Sequence, residues 1–502
     1  MEPLTIYLIA IPALLILSVV VSKGAGRFGI PALSVFLFIG MLVGREGPGG
    51  FPFTNYALAQ ILGVLALVCI LHAGGLSTAI DDIRPVRASG FVLSTLGVVI
   101  AAMLVGGFSV RFLGLDWLQG LLLGATIAST DVAAVFTILR SRSVSLHGRI
   151  RPLLELESAL NDPMSVFLSV GFLGLIAHPG APVWSLGLVF VRQLALGLAA
   201  GYLAGRATQR ALNAIDLEFE GLYSVLSLAV VLLTYGVAQA AGGSGFLAVY
   251  VSGIVLGNEK YVHKRSLAVF HDGLAWLMQI AMFLTMGLLV LPTELSHIAG
   301  AGFLLAGFLV FVARPISVMA CLAPFRFPLR EQLMISWAGL RGAVPIVVAT
   351  YPLIAGTPGA GAIFNLVFFV VGSSVLLQGL TIPVVSKWLG VTAQADSGFR
   401  YPLEFHPTAD LKSELVEVPV PTDSGVVGRP LVDLNLPASV LIVLIRRHDE
   451  VLVPRGATSI ERGDRLLVLA EREGLERIRA IVDGHTPTEV SQQRAAQDDE
   501  AD

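Results

Sequence analysis

Apolar residues run through the first 390 positions in stretches too long for a soluble core and too continuous for alternating strands, separated by short polar loops. A membrane-spanning helix needs about 20 apolar residues. On that rule thirteen segments stand out, near 4–21, 29–44, 57–74, 88–110, 117–139, 152–177, 183–205, 221–240, 244–258, 269–291, 297–323, 331–350 and 362–389. The pattern predicts an all-α polytopic membrane domain over 1–390. From 391 the pattern changes. Residues 391–410 (VTAQADSGFRYPLEFHPTAD) are mixed and read as a linker. Residues 411–484 show strand-like runs (ELVEVPV, SVLIVLIRR, VLVP, DRLLVLA) and a terminal amphipathic stretch, EGLERIRAIV, which predict a small α+β module. Residues 485–502 are polar and acidic and predict disorder.

Charge placement orients the chain. With the first segment running outside to inside, the inner loops hold Lys23, Arg27, Arg84, Arg87, Arg140, Arg142, Arg149, Arg151, Arg206, Arg210, Lys260, Lys264, Arg265, Arg326 and Arg330, and the outer loops only Arg45 and Arg111. Basic residues stay on the cytoplasmic side, so the N-terminus is expected outside and the C-terminal module in the cytoplasm of a cell-membrane protein. The opening MEPLTIYLIAIPALLILSVVVSKG has its basic residue after the apolar run, the wrong polarity for a cleaved signal peptide. Composition agrees: 55% apolar against 14% charged residues excludes a soluble enzyme, and a net charge of −3 gives no footprint for nucleic acid. The two cysteines, Cys69 and Cys321, lie in apolar runs and read as core residues.

Ionisable residues in hydrocarbon are costly and mark function by default. Asp162 lies about ten residues into the sixth segment, about 15 Å deep at 1.5 Å per residue, or half a bilayer core. Arg341 in the twelfth segment and Asp131 in the fifth reach similar depths. In the sixth segment (LLELESALNDPMSVFL) Glu157, Ser158, Asn161 and Asp162 fall within about 140° of helical arc and can face one cavity. Their oxygens suit a hard monovalent cation, and Pro163 frees the Ala159 carbonyl one turn back. The fifth segment (GATIASTDVAAV) and the twelfth (SWAGLRGAVPIVV) both carry helix-interrupting residues at midplane depth. Being seven apart, an odd offset, they predict an inverted repeat with two broken helices whose ends flank an ion site. Arg341 is expected to pair with Glu157, leaving Asp162 to exchange a proton for a cation. One exchangeable charge predicts electroneutral one-for-one exchange.

At these residues, STD in the fifth helix, ESxxND in the sixth and GLRGA in the twelfth, the chain resembles the monovalent cation:proton antiporter-1 family, the NhaP-type exchangers. The resemblance implies that Asp162 with Asn161 forms the exchange site, that Ser158 and Thr130 add cation-coordinating oxygens, that Glu157 pairs with Arg341, and that Asp131 compensates helix-end charge where the broken helices cross. It further implies a homodimer in membrane lipid with an elevator-like core, no cofactor, and potassium or sodium as cargo. Residues 411–484 resemble the C-terminal subdomain of potassium-conductance regulators. That combination resembles the potassium/proton antiporters of the cell-volume-regulation group, which favours potassium and implies regulation by a small nucleotide-type ligand. Many relatives carry an acidic residue before the GGL of the third helix, where this chain reads ILHAGGL, with His72 and Ala73. His72 is a candidate modulator, more often a packing residue than a ligand. His147, His263 and His271 read as solvated loop residues, and Arg192 and Arg314, inside apolar segments, need partners. Other classes stay open: a Na+/H+ antiporter; a gated cation channel, against which stands the lack of a TVGYG-type filter; and an intramembrane aspartyl hydrolase using Asp131 and Asp162, whose glycine-aspartate context is missing.

Overall fold

The computed structural model describes residues 3–27, 31–142, 144–180, 182, 184–394, 414–421, 424–434, 436–437, 439–447 and 450–482. Most of the expected linker and the acidic tail at 485–502 lie outside the described residues. The chain divides into two compact units, Met1–Ser397 and Gly398–Asp502.

In the first unit helices stand where the apolar segments do. They are α1 (Pro3–Arg27), α2 (Ala32–Val43) and α3 (Tyr56–Ser77), then a rod of α4 (Ile80–Ile83), α5 (Arg87–Val92) and α6 (Val98–Leu113). After these come α7 (Trp117–Thr126), α8 (Val132–Ser141), the short strand β1 (Val144–Leu146), α9 (Ile150–Ala177), α10 (Trp184–Ala214), α11 (Glu220–Ala240), α12 (Gly245–Gly257) and α13 (Lys264–Leu288). The unit closes with a rod of α14 (Pro292–Phe308) and α15 (Arg314–Leu322), with α16 (Leu329–Trp337), α17 (Val344–Ile354) and α18 (Ala360–Trp388), and with β2 (Thr392–Gln394). Among the described residues eight helical runs are long and apolar enough to cross a membrane, with four shorter apolar helices beside them.

Local chemistry sets several boundaries. Asn55 caps α3 by accepting the Leu58 N–H at 2.9 Å, and Asp116 and Gln119 form a capping box on α7. In lipid, helices associate by close backbone packing. Gly197, Gly201 and Gly205 of α10 lie against the carbonyls of Ser244, Ala248 and Ser252 at the start of α12 and along it, and a Cβ at Gly201 would stand 2.5 Å from the Ala248 oxygen. Two predicted segments are broken as expected: the fifth is α7 and α8 with an unwound stretch between, the twelfth α16 and α17. By contrast α9 runs unbroken through Pro163.

The second unit is an antiparallel sheet of β3 (Glu414–Pro419), β4 (Val440–Arg447), β5 (Glu450–Leu452) and β6 (Arg465–Ala470), ordered β3-β6-β4-β5, with α19 (Arg472–Val482). Leu466 and Val468 alternate along β6, and an irregularity in β4 between Ile442 and Leu444 brings Ile442 and Ile445 to the same face; these four pack with Leu475, Ile478 and Val482 of α19 into the unit's own core.

Candidate functional site

The site forms where the two unwound stretches cross. The Asp131 N–H donates to the Leu340 carbonyl at 2.7 Å, joining one break to the other. Arg341 is 1% exposed, and its Nη1 donates to the carbonyls of Ala128 and, at 2.8 Å, Ser129. A broken helix leaves carbonyls without intrahelical partners, and this guanidinium satisfies two of them. The far side is held from α18. The Arg341 N–H donates to Ser374 Oγ at 3.0 Å, Ser374 donates to Gln378 at 2.5 Å, and the Gln378 amide donates to the Trp337 carbonyl at 2.8 Å. The fit is tight: a Cβ on Gly342 would lie 2.4 Å from Asp131 Oδ2.

From the other side α9 supports the first break. Asn161 Nδ2 donates to Thr130 Oγ1 at 2.7 Å, Ser158 donates to the Thr130 carbonyl at 2.7 Å, and the Val132 N–H donates to Ser158 Oγ at 3.3 Å. Asp131 Oδ1 accepts the Ala134 N–H at 3.1 Å and so caps α8. These bonds consume most of the hydrogen-bonding capacity of Thr130, Ser158 and Asn161, so the three fix the unwound backbone as well as offering oxygens. Asp162 differs. Its Oδ1 is buried with no hydrogen-bond partner among the described residues, and Ser129 stands beside the carboxylate. An orphaned buried carboxylate oxygen is costly unless a proton or a cation occupies it.

The expected pairing of Glu157 with Arg341 is corrected. Glu157 is bound on both oxygens by Arg314, at 2.5 Å and 2.9 Å, in a two-pronged ion pair buried at both ends. Depth alone puts both arginines within range of Glu157, but helix neighbourhood decides: Arg314 opens α15 just after a π turn (Leu309–Ala313) and points at α9, while Arg341 is turned onto the carbonyls of the other break. The rod of α4 to α6 carries a π turn too, at Leu93–Gly97, so the segments seven apart share this irregularity as well.

A second correction concerns the histidines. His271 is not a solvated loop residue: it is 1% exposed, bonded to Ser227 at 2.8 Å, and its ring meets that of His72 edge-on at 4.8 Å. His72 is 2% exposed and its Nδ1 lies 3.4 Å from the Val249 carbonyl. The contacts of His72 are thus with α12 and α13 and not with the crossing. Sequence reasoning missed Arg314 as the carboxylate partner, though its depth in an apolar segment was the signal. It also passed over Ser129, whose signal was its place beside Thr130 and Asp131.

Two broken helices crossing at a carboxylate, an arginine and oxygen-bearing side chains define a membrane cation/proton antiporter. Residues 13–388 match the family described as sodium/hydrogen exchanger, transmembrane, and the chain belongs to that family. Residues 415–483 match the TrkA-C domain. The K(+)/H(+) antiporter NhaP of Alkalimonas amylolytica is 38% identical over 486 residues, covering 96% of this chain and 84% of its own length. The K(+)/H(+) antiporter NhaP2 of Shewanella sp. (strain ANA-3) is 39% identical over 91% of this chain and 80% of its own length. The Na(+)/H(+) antiporter NhaP of Pseudomonas aeruginosa is 30% identical over 66% of this chain and 81% of its own. Among solved structures, the sodium proton antiporter MjNhaP1 of Methanocaldococcus jannaschii superposes with a TM-score of 0.66 over 76% of this chain and all of that chain, at 24% identity.

Proposed function

We propose that this protein exchanges a monovalent cation for a proton across the membrane by alternate occupancy of Asp162, one for one and without net charge movement. The observation that carries this reading is the orphaned Asp162 oxygen at the crossing. The other charges nearby are already committed: Glu157 to Arg314, Asp131 to the N-terminus of α8, and Arg341 to two carbonyls. One free carboxylate carries one exchangeable charge. Asn161, Ser158 and Thr130 hold the unwound stretch around it and supply the neutral oxygens a desolvated cation needs. No cofactor enters the scheme.

Potassium is the favoured cargo, supported by the names of the relatives similar over nearly the whole chain and by the TrkA-C match. Sodium is the second reading, supported by the Pseudomonas relative. In the same reading residues 1–390 are the transport domain, working as a homodimer with an elevator-like core, N-terminus outside. Residues 391–410 link it to a cytoplasmic regulatory domain at 411–484 that binds a small nucleotide-type ligand.

The test is proton flux in proteoliposomes holding an acidic lumen and a pH-sensitive dye. Potassium added outside should alkalinise the lumen, with the same rate when valinomycin-free voltage clamping by other permeant ions is imposed, and Asp162→Asn should reduce the signal to that of empty vesicles. Silence of the wild type with potassium and with sodium would sink the reading.

A further inference from the structure

The chain leaving the last membrane helix is tied down before it departs. Four residues beyond Trp388, β2 pairs antiparallel with β1 in the register Val144 to Gln394, Ser145 to Ala393 and Leu146 to Thr392. The His147 N–H donates to the Val391 carbonyl at 3.0 Å and lengthens the ladder. Hydrogen-bonded pairs alternate along an antiparallel ladder, so after His147 and Val391 the next such pair is Ser145 and Ala393. A two-stranded pair this short is marginal by itself. Here it is packed into the unit, with Val144 and Leu146 8% exposed and Val391 6% exposed.

The location of β1 gives the pairing its meaning. It lies in the loop joining α8, whose first residue follows Asp131, to α9, which carries Glu157 and Asp162. In the same loop Arg149 covers the ring of Phe327 at 4.3 Å, two residues before α16, the first half of the other broken helix. One loop therefore meets the chain leading to the second unit and the feet of both broken helices. A hydrogen-bonded helix moves as a rod, so displacement of the loop shifts the Asp131 end of α8, about 15 Å away.

We propose that β1 and β2 form a clip through which the chain leading to the second unit acts on the cation site. Pairing holds the loop ends of α8 and α9 against α18. Release frees them and changes the rate at which Asp162 exchanges its occupant. The kinetic half of this inference rests on the antiport reading; the mechanical half does not.

The experiment uses the full chain with Ala393→Pro, which removes the N–H that bonds Ser145, and with Ser145→Cys combined with Ala393→Cys. A hydrogen-bonded antiparallel pair has Cα atoms about 5.5 Å apart, within disulfide reach. The native Cys69 and Cys321 are both buried. Deuterium uptake in lipid nanodiscs should rise in Ala393→Pro not only at 144–147 and 391–394 but throughout Val132–Ser141. The oxidised double-cysteine protein should be protected there relative to the same protein reduced. In proteoliposomes the two states of the double-cysteine protein should differ in exchange rate by roughly two- to thirtyfold, with Ala393→Pro shifted in the direction opposite to the oxidised form. Uptake confined to the strands themselves, or equal flux in the oxidised and reduced states of a protein whose wild type transports, overturns the clip. Deuterium uptake spreading through α8 in a protein whose wild type moves no cation would leave the mechanical link standing and remove the antiport reading instead.

Discussion

At the residue scale the site separates two kinds of buried charge. Glu157 and Arg314 neutralise each other, and removing one partner strands the other in a low-dielectric interior at a cost of about 3–5 kcal/mol. Arg314→Met is therefore expected to lower the detergent-melting temperature sharply. Combining it with Glu157→Gln should recover most of the loss, because two neutral groups need no countercharge. A double substitution as unstable as the sum of the singles would contradict the pairing. Asp162, with its free oxygen, should behave differently. Competition at one carboxylate predicts that the apparent KM for potassium rises as pH falls, approaching about tenfold per pH unit where the proton dominates, with an unchanged maximal rate. Steady-state flux at four or five pH values decides it, and a falling maximal rate at constant KM would argue for a proton site elsewhere. Charges at midplane depth are rare, so the sequence was enough to single out the polar residues that meet here. It did not reveal who pairs with whom. Depth follows from counting residues, but partnership depends on which helices are neighbours and how each is rotated, so an Arg314 that needed a partner could not be assigned one.

At the element scale the breaks in the fifth and twelfth segments were legible because glycine, proline and polar residues interrupt otherwise apolar helices at matching depth. Their crossing leaves no room. A methyl at Gly342 would overlap Asp131, so Gly342→Ala must push the α16–α17 break away from the Asp131 carboxylate and strain the bond between Asp131 N–H and the Leu340 carbonyl. The expected outcome is a folded protein, eluting as wild type in size-exclusion chromatography, with flux reduced at least about tenfold, a displacement of that kind being costly at a site built on fixed geometry. Wild-type flux in Gly342→Ala would mean that the crossing is looser than its atoms imply. The β1–β2 pair, in contrast, could not be read from the sequence: three residues carry no usable period, and β2 fell inside a stretch whose composition reads as linker. Nor could the burial of His271, which sits two turns inside α13 beyond a cluster of basic loop residues and takes its surroundings from α3 and α11.

At the scale of the whole molecule the two units have separate cores, and the smaller holds a buried ion-pair hub. A module of roughly 70 residues buries too little apolar surface to spare several kcal/mol. In it Asp464, 0% exposed, receives Arg447 on both carboxylate oxygens, at 3.0 Å and 2.9 Å, and the Glu461 N–H at 2.8 Å. Arg447 also donates to the Ser459 carbonyl at 2.8 Å and to Glu461, so one guanidinium ties the end of β4 to the turn before β6. Arg447→Ala would leave the Asp464 carboxylate buried without its cation, at a cost of about 3–5 kcal/mol, comparable to the stability of the whole unit. Two independent cores predict that the damage stays local. In a thermal scan of the full chain the transition belonging to the smaller unit should move down or vanish, while the transition of the membrane unit keeps its midpoint. Limited proteolysis should then cut within 414–482 and spare the membrane unit. A membrane transition that fell together with the smaller one would mean that the units fold as one cooperative body, and that a ligand gripping the smaller unit acts through stability shared across the chain and not only through the β1–β2 clip.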